Sequence, residues 1–288
     1  MRILVVCGGS SAERDDSLGA GKMIGDALQA AGHEVTYFDP GDDTAFALLR
    51  TVVLDRDLVF PVLYGKGGED GLIQAVLDSL GVPYVGPSPS GSQTCYDKVH
   101  MLNLLHTHGI LVPPTDLVTY RKLKKHPLAQ QPCIVKPRFE GAKSDARIIQ
   151  DVSHAPEDIE EIFARQGSML IQPLLMGGEF AASIMGDTPL PVAGLVQDMR
   201  YQSPPQHVPQ EIQQQAQLVA LKIYQMLGCR HMATIDFIAS SDGHVYCIDV
   251  NTLPQFTAQG AFVVSAISQG LTLPKAMDYI VQYAHQRR

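Results

Sequence analysis

The chain has 288 residues, 45% of them hydrophobic and 18% charged, with a net charge of −8. That apolar content fills two or three packed units and argues against disorder. An acidic balance without a basic stripe argues against nucleic acid as the main partner. No apolar run approaches the roughly 18 residues that suggest a membrane span. Cys7, Cys95, Cys133, Cys229 and Cys247 include no C-x-x-C pair and lie mostly in apolar runs, which reads as buried, reduced thiols. The start, Met1–Cys7, is too short for a signal h-region. A soluble cytoplasmic protein is expected.

Arg2–Cys7 reads as a buried strand that runs into Gly8-Gly-Ser-Ser-Ala-Glu-Arg14. Ser17–Ala31 has helical periodicity, and Gly32 closes it. His33–Phe38 alternates as a strand, Ala45–Leu49 suits a short helix, and Leu58–Leu63 is a strand apolar on both faces. Leu72–Leu80 is helical and Pro83–Val85 extended. This βαβαβ rhythm predicts a parallel sheet. A second unit begins near Gln93, with a helix over His100–His108 and strands at Cys133–Lys136, Arg147–Ile149 and Met169–Gln172 around a helix at Glu157–Arg165. Strands at Glu179–Met185 and Leu190–Val196 open a third unit. A Pro- and Gln-rich irregular stretch, Gln197–Pro209, comes before a long helix, Glu211–Leu227. Ala261–Arg288 closes the chain, mostly as helix. The expected boundaries are 1–92, 93–175 and 176–288.

The chemistry gathers around Thr234–Phe237 and Val245–Pro254, which flank Ser240-Ser-Asp-Gly243 and read as a β-hairpin. Asp249 and Asn251, two apart, leave one strand face, and Asp236 meets them across the ladder. Ile235, Phe237, Ile248 and Val250 make the other face apolar. Two carboxylates and an amide suit Mg²⁺ carrying nucleotide phosphates; a solvated polar hairpin is the alternative. Lys136 ends a buried strand, where its amine either meets an anion or snorkels to solvent. Gly8-Gly9 and Leu63–Gly71 are glycine-rich loops at strand ends, where open α/β sheets bind ligands.

Taken together these segments resemble the D-alanine–D-alanine ligase family of the ATP-grasp fold. The matching motifs are Gly8–Arg14, Gly67-Gly-Glu-Asp-Gly71, Val82–Gly86, Asp97-Lys98, Ile134–Pro137, Gly178-Glu-Phe180, Ile235-Asp-Phe237 and Asp249–Pro254. They span nearly the whole chain. The resemblance implies an N-terminal parallel α/β domain, a small central α+β domain and a C-terminal α+β domain, with ATP between the last two, and a homodimer. It implies an ATP-dependent carboxylate–amine ligase that works through an acyl phosphate on small amino-acid-like substrates. It assigns Lys98 and Lys136 to the ATP phosphates, Gln172, Pro173, Leu174 and Leu175 to adenine, and Glu179 to the ribose. Asp236, Asp249 and Asn251 hold Mg²⁺, with two ions expected, and Glu13 takes the first substrate's amine. Ser17, Tyr64, Gln255 and Gly260 complete the substrate wall.

The departures fall on the substrate side. Asp249 replaces a usual Glu. The central loop, Gly-Ser-Ser-x-Gly in the family, reads Gly141-Ala-Lys-Ser-Asp145, which makes Lys143 a candidate catalytic cation on the γ-phosphate. Thr234 stands at an arginine position whose cation stabilises the tetrahedral oxyanion, and its loss removes transition-state stabilisation. Gln255 replaces a glycine, Gly260 and Ala261 a Ser-Leu pair, and Tyr64 a histidine. The family's Lys-Tyr loop is expected to be cut to a Gln/Pro-rich segment. Two alternatives remain open at this point: a specialised ligase that cyclises an amino-acid analogue such as an amino-oxy amino acid, and a non-catalytic ATP-binding regulatory homologue.

Overall fold

A computed structural model describes residues 1–41, 47–139, 145–197, 200–241 and 243–287. The first sheet is parallel, in the order β2-β1-β3, from β1 (Arg2–Cys7), β2 (Glu34–Phe38) and β3 (Leu58–Val62). Their near-continuous Val, Ile and Leu content suits a sheet covered on both faces. Helix α1 (Arg14–Ala30) covers one face, beginning three residues earlier than its periodicity suggests. Residues 42–46 lie outside the described set, so the helix expected at Ala45–Leu49 is tested only in part; a short α2 spans Leu49–Val52. Helix α3 spans Leu72–Leu80. The expected strand at Pro83–Val85 is reduced to a single parallel bridge between Val59 and Tyr84.

Helices α4 (Pro89–Tyr96) and α5 (Lys98–Thr107) lead into a four-stranded sheet, β4-β7-β5-β6. Its strands are β4 (Asp116–Thr119), β5 (Cys133–Pro137), β6 (Arg147–Ile149) and β7 (Ser168–Pro173). Short α6 (Tyr120–Leu123) follows β4, and α7 (Ile159–Gln166) buries Ile162 and Phe163 against the sheet.

The third sheet runs β11-β10-β8-β12-β13, with β9 (Thr188–Pro189) paired to β8. Its other strands are β8 (Gly177–Met185), β10 (Ala193–Gln197), β11 (Arg200–Gln202), β12 (Met232–Ser240) and β13 (Val245–Asn251). Helix α8 (Gln210–Met226) packs Ala216, Ala220 and Ile223 into the core beneath Phe180 and Phe237. Strand β11 corrects the expectation of an irregular Gln197–Pro209, because Leu195 pairs with Tyr201 and draws that segment into the sheet. The closing helix is two helices, α9 (Ala261–Ser268) and α10 (Leu273–Gln286), separated by a turn at Gly270 with φ +86°.

Helix α10 returns to the first sheet. Met277, Ile280 and Val281 share one core with Ile3, Val5, Ile24 and Phe60. A boundary drawn only in sequence therefore misses that the last helix completes the first core. Among the described residues no helix is long and apolar enough to cross a membrane.

Candidate active site

The hairpin β12–β13 places Asp236 directly opposite Asp249, and Thr234 opposite Asn251. The Asn251 amide donates to Asp236 Oδ2 at 2.9 Å, which turns its carbonyl oxygen away from that carboxylate. The pairing shifts register between Asp236 and Phe237, and this bulge puts Cys247, not Ile248, opposite Phe237 and into the core. The expected apolar face is corrected accordingly. A bulge releases one residue from the ladder. Here the Ile248 carbonyl accepts from Lys136 Nζ at 3.2 Å.

Two lysines converge on Asp249. Lys98, first residue of α5, pairs with Asp249 Oδ2. Asp97 fixes this lysine's position: its carboxylate caps α5 by accepting from the Val99 and His100 N–H groups, and it accepts from Arg138 Nε and Nη2 at 2.9 and 2.6 Å. Lys136 extends from β5. Burial pushes its amine down to about 8, although Asp249 opposes the shift. Burial also works to raise Asp249, but the Lys98 and Lys136 charges outweigh it and hold the carboxylate below its ordinary value. Among the described residues no group of three or more His, Cys, Asp and Glu is arranged to hold a metal. Two carboxylates and an amide oxygen fit Mg²⁺ if phosphate oxygens complete the shell, since Mg²⁺ is bound through one or two carboxylates plus substrate phosphates.

Beside the hairpin lies a cavity of about 140 Å³ that brings together Glu13, Tyr64, Gln255 and Gly260 with Thr234, Asp236, Asp249 and Asn251. Tyr64 is its keystone: its hydroxyl donates to the Pro254 carbonyl at 3.0 Å and accepts from the Phe256 N–H at 3.1 Å, tying the β3 loop to the exit of β13. Thr234 is engaged with the Ser183 hydroxyl at 3.2 Å. Ser17 is not brought to this cavity. It is fully buried, accepts from the Gly8 N–H at 2.8 Å and donates to the Val62 carbonyl, so it holds the glycine loop to β3.

Of the expected adenine segment, Gln172 and Pro173 end β7, and Gln172 donates to Thr115 Oγ1 at 2.7 Å. The Leu174 N–H donates to the Pro132 carbonyl at 2.9 Å, and Leu175 leads into β8. Glu179 lies on β8 opposite Ile238, and its carbonyl accepts from His207. Lys143 and Ala142 lie outside the described residues. Asp145, just beyond them, accepts from Arg165 at 2.8 Å and Gln166 at 2.9 Å.

Two cavity residues escape the sequence reading. Tyr201, on β11, lies in the stretch expected to be a shortened loop; it lines the cavity, and burial raises its hydroxyl. Only the alternation of a short strand hidden in a Pro- and Gln-rich stretch signals it. Glu69, in the Gly67–Gly71 loop, accepts from the Gly65 N–H at 2.7 Å. Burial pushes its carboxyl up to about 8, and Glu13 adds to the shift. An acid among four nearby glycines at a strand end is a legible signal for it.

Residues 104–282 match the family model described as D-ala D-ala ligase C-terminus. A D-alanine–D-alanine ligase of Nitratidesulfovibrio vulgaris strain DP4 is 33% identical, covering 98% of this chain and 97% of the relative. One of Thermotoga maritima is 31% identical, covering 99% and 97%. The crystal structure of the Bacillus anthracis D-alanine–D-alanine ligase complexed with ATP superposes with a TM-score of 0.85 at 27% identity, covering 99% of this chain and 98% of that one.

Proposed function

This chain belongs to the D-alanine–D-alanine ligase family of ATP-grasp enzymes, and from that premise we propose that it joins the carboxylate of a D-alanine-like amino acid to an amine. It is an ATP-dependent ligase that forms a C–N bond. ATP phosphorylates the carboxylate, and the amine displaces phosphate from the acyl phosphate. Neither the cyclising nor the non-catalytic alternative finds support among the relatives. The observation that carries the reading is the convergence of Lys98, Lys136, Asp236, Asp249 and Asn251 at one strand pair beside an acid-lined cavity.

Within this reading Lys98 and Lys136 receive the nucleotide phosphates as point charges, which suits an ammonium better than a planar guanidinium. Phosphate oxygens compete with Asp249 for Lys98, and the freed carboxylate joins Asp236 and Asn251 in holding Mg²⁺, with two ions proposed. Mg²⁺, when bound, neutralises charge on the transferring phosphoryl group. Gln172 through Leu175 hold adenine and Glu179 the ribose. Glu13, only 8% exposed and lining the cavity, takes the ammonium of the first amino acid. Lys143 meets the γ-phosphate. Tyr64, Gln255 and Gly260 shape the space for the acceptor amine. We extend the proposal to a cytoplasmic homodimer, which sedimentation at micromolar concentration tests.

The decisive assay is ADP release with Mg²⁺-ATP across a panel of D- and L-amino acids, with product mass recorded. A D-alanine-containing dipeptide, formed only with ATP present, is the expected result. ADP release with no D-amino acid and none elsewhere in the panel would sink the reading.

A further inference from the structure

We propose that Cys95 and Cys229 form a reversible disulfide when the protein meets a hydroperoxide, and that this bond displaces the lysine heading α5. All five cysteines are free and buried, but these two share a place. Cys95 lies on the last turn of α4, and Cys229 just beyond the end of α8. Both thiols lie in one buried cluster in the core of the third sheet, 4% and 6% exposed, close enough for the Cys229 thiol to act on that of Cys95.

The backbones are also close. Gly91 lies one turn before Cys95 on the same face of α4. A Cβ there would sit 3.0 Å from the Gly228 carbonyl oxygen and 3.3 Å from that of Leu227. Helix α4 thus runs against the segment that carries Cys229, and a disulfide requires Cα atoms roughly 4.4–6.8 Å apart. Cys95 also lines a small cleft shared with Glu69, Lys98 and Asn251, which gives a small oxidant a route from the nucleotide side.

The chemistry balances. The Cys95 thiol sheds its proton, the thiolate attacks one peroxide oxygen and becomes a sulfenic acid as the O–O bond breaks, and the departing hydroxide takes up that proton to leave as water. The Cys229 thiol then attacks that sulfur, forms the S–S bond and releases a second water. Two thiols lose two electrons, and one hydrogen peroxide gains them. The neighbouring Cys229 thiol, together with burial, holds the Cys95 thiol well above its ordinary value. The thiolate is therefore scarce at neutral pH, and the reaction quickens as pH rises.

Closing the sulfurs to about 2.05 Å draws the last turn of α4 toward α8. Asp97 follows that turn directly, and it positions Lys98 by capping α5 and holding Arg138. Movement of α4 therefore reaches the Lys98–Asp249 pair.

The test treats the full chain with hydrogen peroxide and digests it with trypsin under non-reducing conditions. The expected product links the peptide Gly67–Lys98 to Ile223–Arg230, forms faster at pH 9 than at pH 7, and disappears with dithiothreitol. Cys229→Ser and Cys95→Ala should each abolish it, and two separate variants guard against one that fails to fold. Mg²⁺-ATP affinity, measured by calorimetry, should weaken at least fivefold on oxidation of the wild type and stay unchanged in Cys229→Ser. Only this affinity readout rests on the ligase reading; the cross-link is observed without nucleotide. Absence of the Cys95–Cys229 peptide overturns the proposal. So does a fully cross-linked protein that binds Mg²⁺-ATP as tightly as the reduced one.

Discussion

The strand pair β12–β13 and the acceptor wall are built in opposite ways. The strand pair takes Asp236, Asp249 and Asn251 from one registered ladder, where each position follows from its neighbour. The wall takes Glu13 from the start of α1, Tyr64 and Glu69 from the β3 loop, Tyr201 from β11, and Gln255 and Gly260 from the loop before α9. A ladder fixes side-chain direction by its period of two. A wall of loop residues is fixed only by long-range bonds, such as those of the Tyr64 hydroxyl to Pro254 and Phe256. The cavity lining can therefore be rewritten residue by residue while the strand pair stays put.

The sharpest way to break that contrast is Asp249→Ala. It removes the carboxylate that acts on both Lys98 and Lys136, so the two cations lose their shared counter-charge. Metal-dependent ATP binding should vanish by calorimetry, and turnover should fall about a hundredfold or more, as for loss of a strong electrostatic contact. Far-ultraviolet circular dichroism should stay unchanged. Retained Mg²⁺ dependence would move the metal elsewhere.

Lys136 offers a pH test of the same strands. Its amine, pushed down to about 8 by burial, loses its charge as pH rises past that value, so ATP affinity should fall above pH 8. The stability sign is opposite. The unfolded lysine holds its proton to about 10.5, so its burial penalty is complete below pH 8 and relieved between pH 8 and 10.5. Lys136→Met should lower ATP affinity about tenfold at pH 7 and flatten that pH dependence. A curve that still bends near pH 8 in the variant would assign the titration to another group.

Lys143→Ala probes the loop beyond β5. If the lysine acts on the transferred phosphate, kcat should drop about tenfold, equivalent to about 1.4 kcal/mol, with the melting temperature unchanged. Unaltered ATP turnover would return Lys143 to solvent.

Tyr64→Phe addresses the wall and should have the smallest effect on ATP. It leaves the Phe256 N–H and the Pro254 carbonyl short of a partner in a buried position. A stability loss of about 1–3 kcal/mol is expected by denaturant titration. KM for the acceptor should rise, and that for ATP should stay within twofold. An equal rise in both would mean that wall and strands move as one piece.

Elements whose side chains repeat with a local period are legible along the chain. The buried β1 and β3, the amphipathic α8, and the β12–β13 pair with its two aspartates and asparagine all follow from alternation or a 3.6-residue repeat, and the motifs in family order determined the fold and chemistry. Local period does not encode register, and a one-residue shift reassigns faces. Hence only the folded sheet showed that a bulge swaps Cys247 for Ile248 in the core and turns the Ile248 carbonyl to Lys136. Nor does it encode which distant segments meet. The Ser17 hydroxyl finds the Val62 carbonyl, 45 residues away in sequence, while it also holds the Gly8 N–H. Tyr201 looked like loop until pairing with Leu195 turned it into cavity wall. Helix α10 reads as a C-terminal element, but its apolar face finds its core under β1, because burial is decided by whichever surface remains uncovered and not by order along the chain.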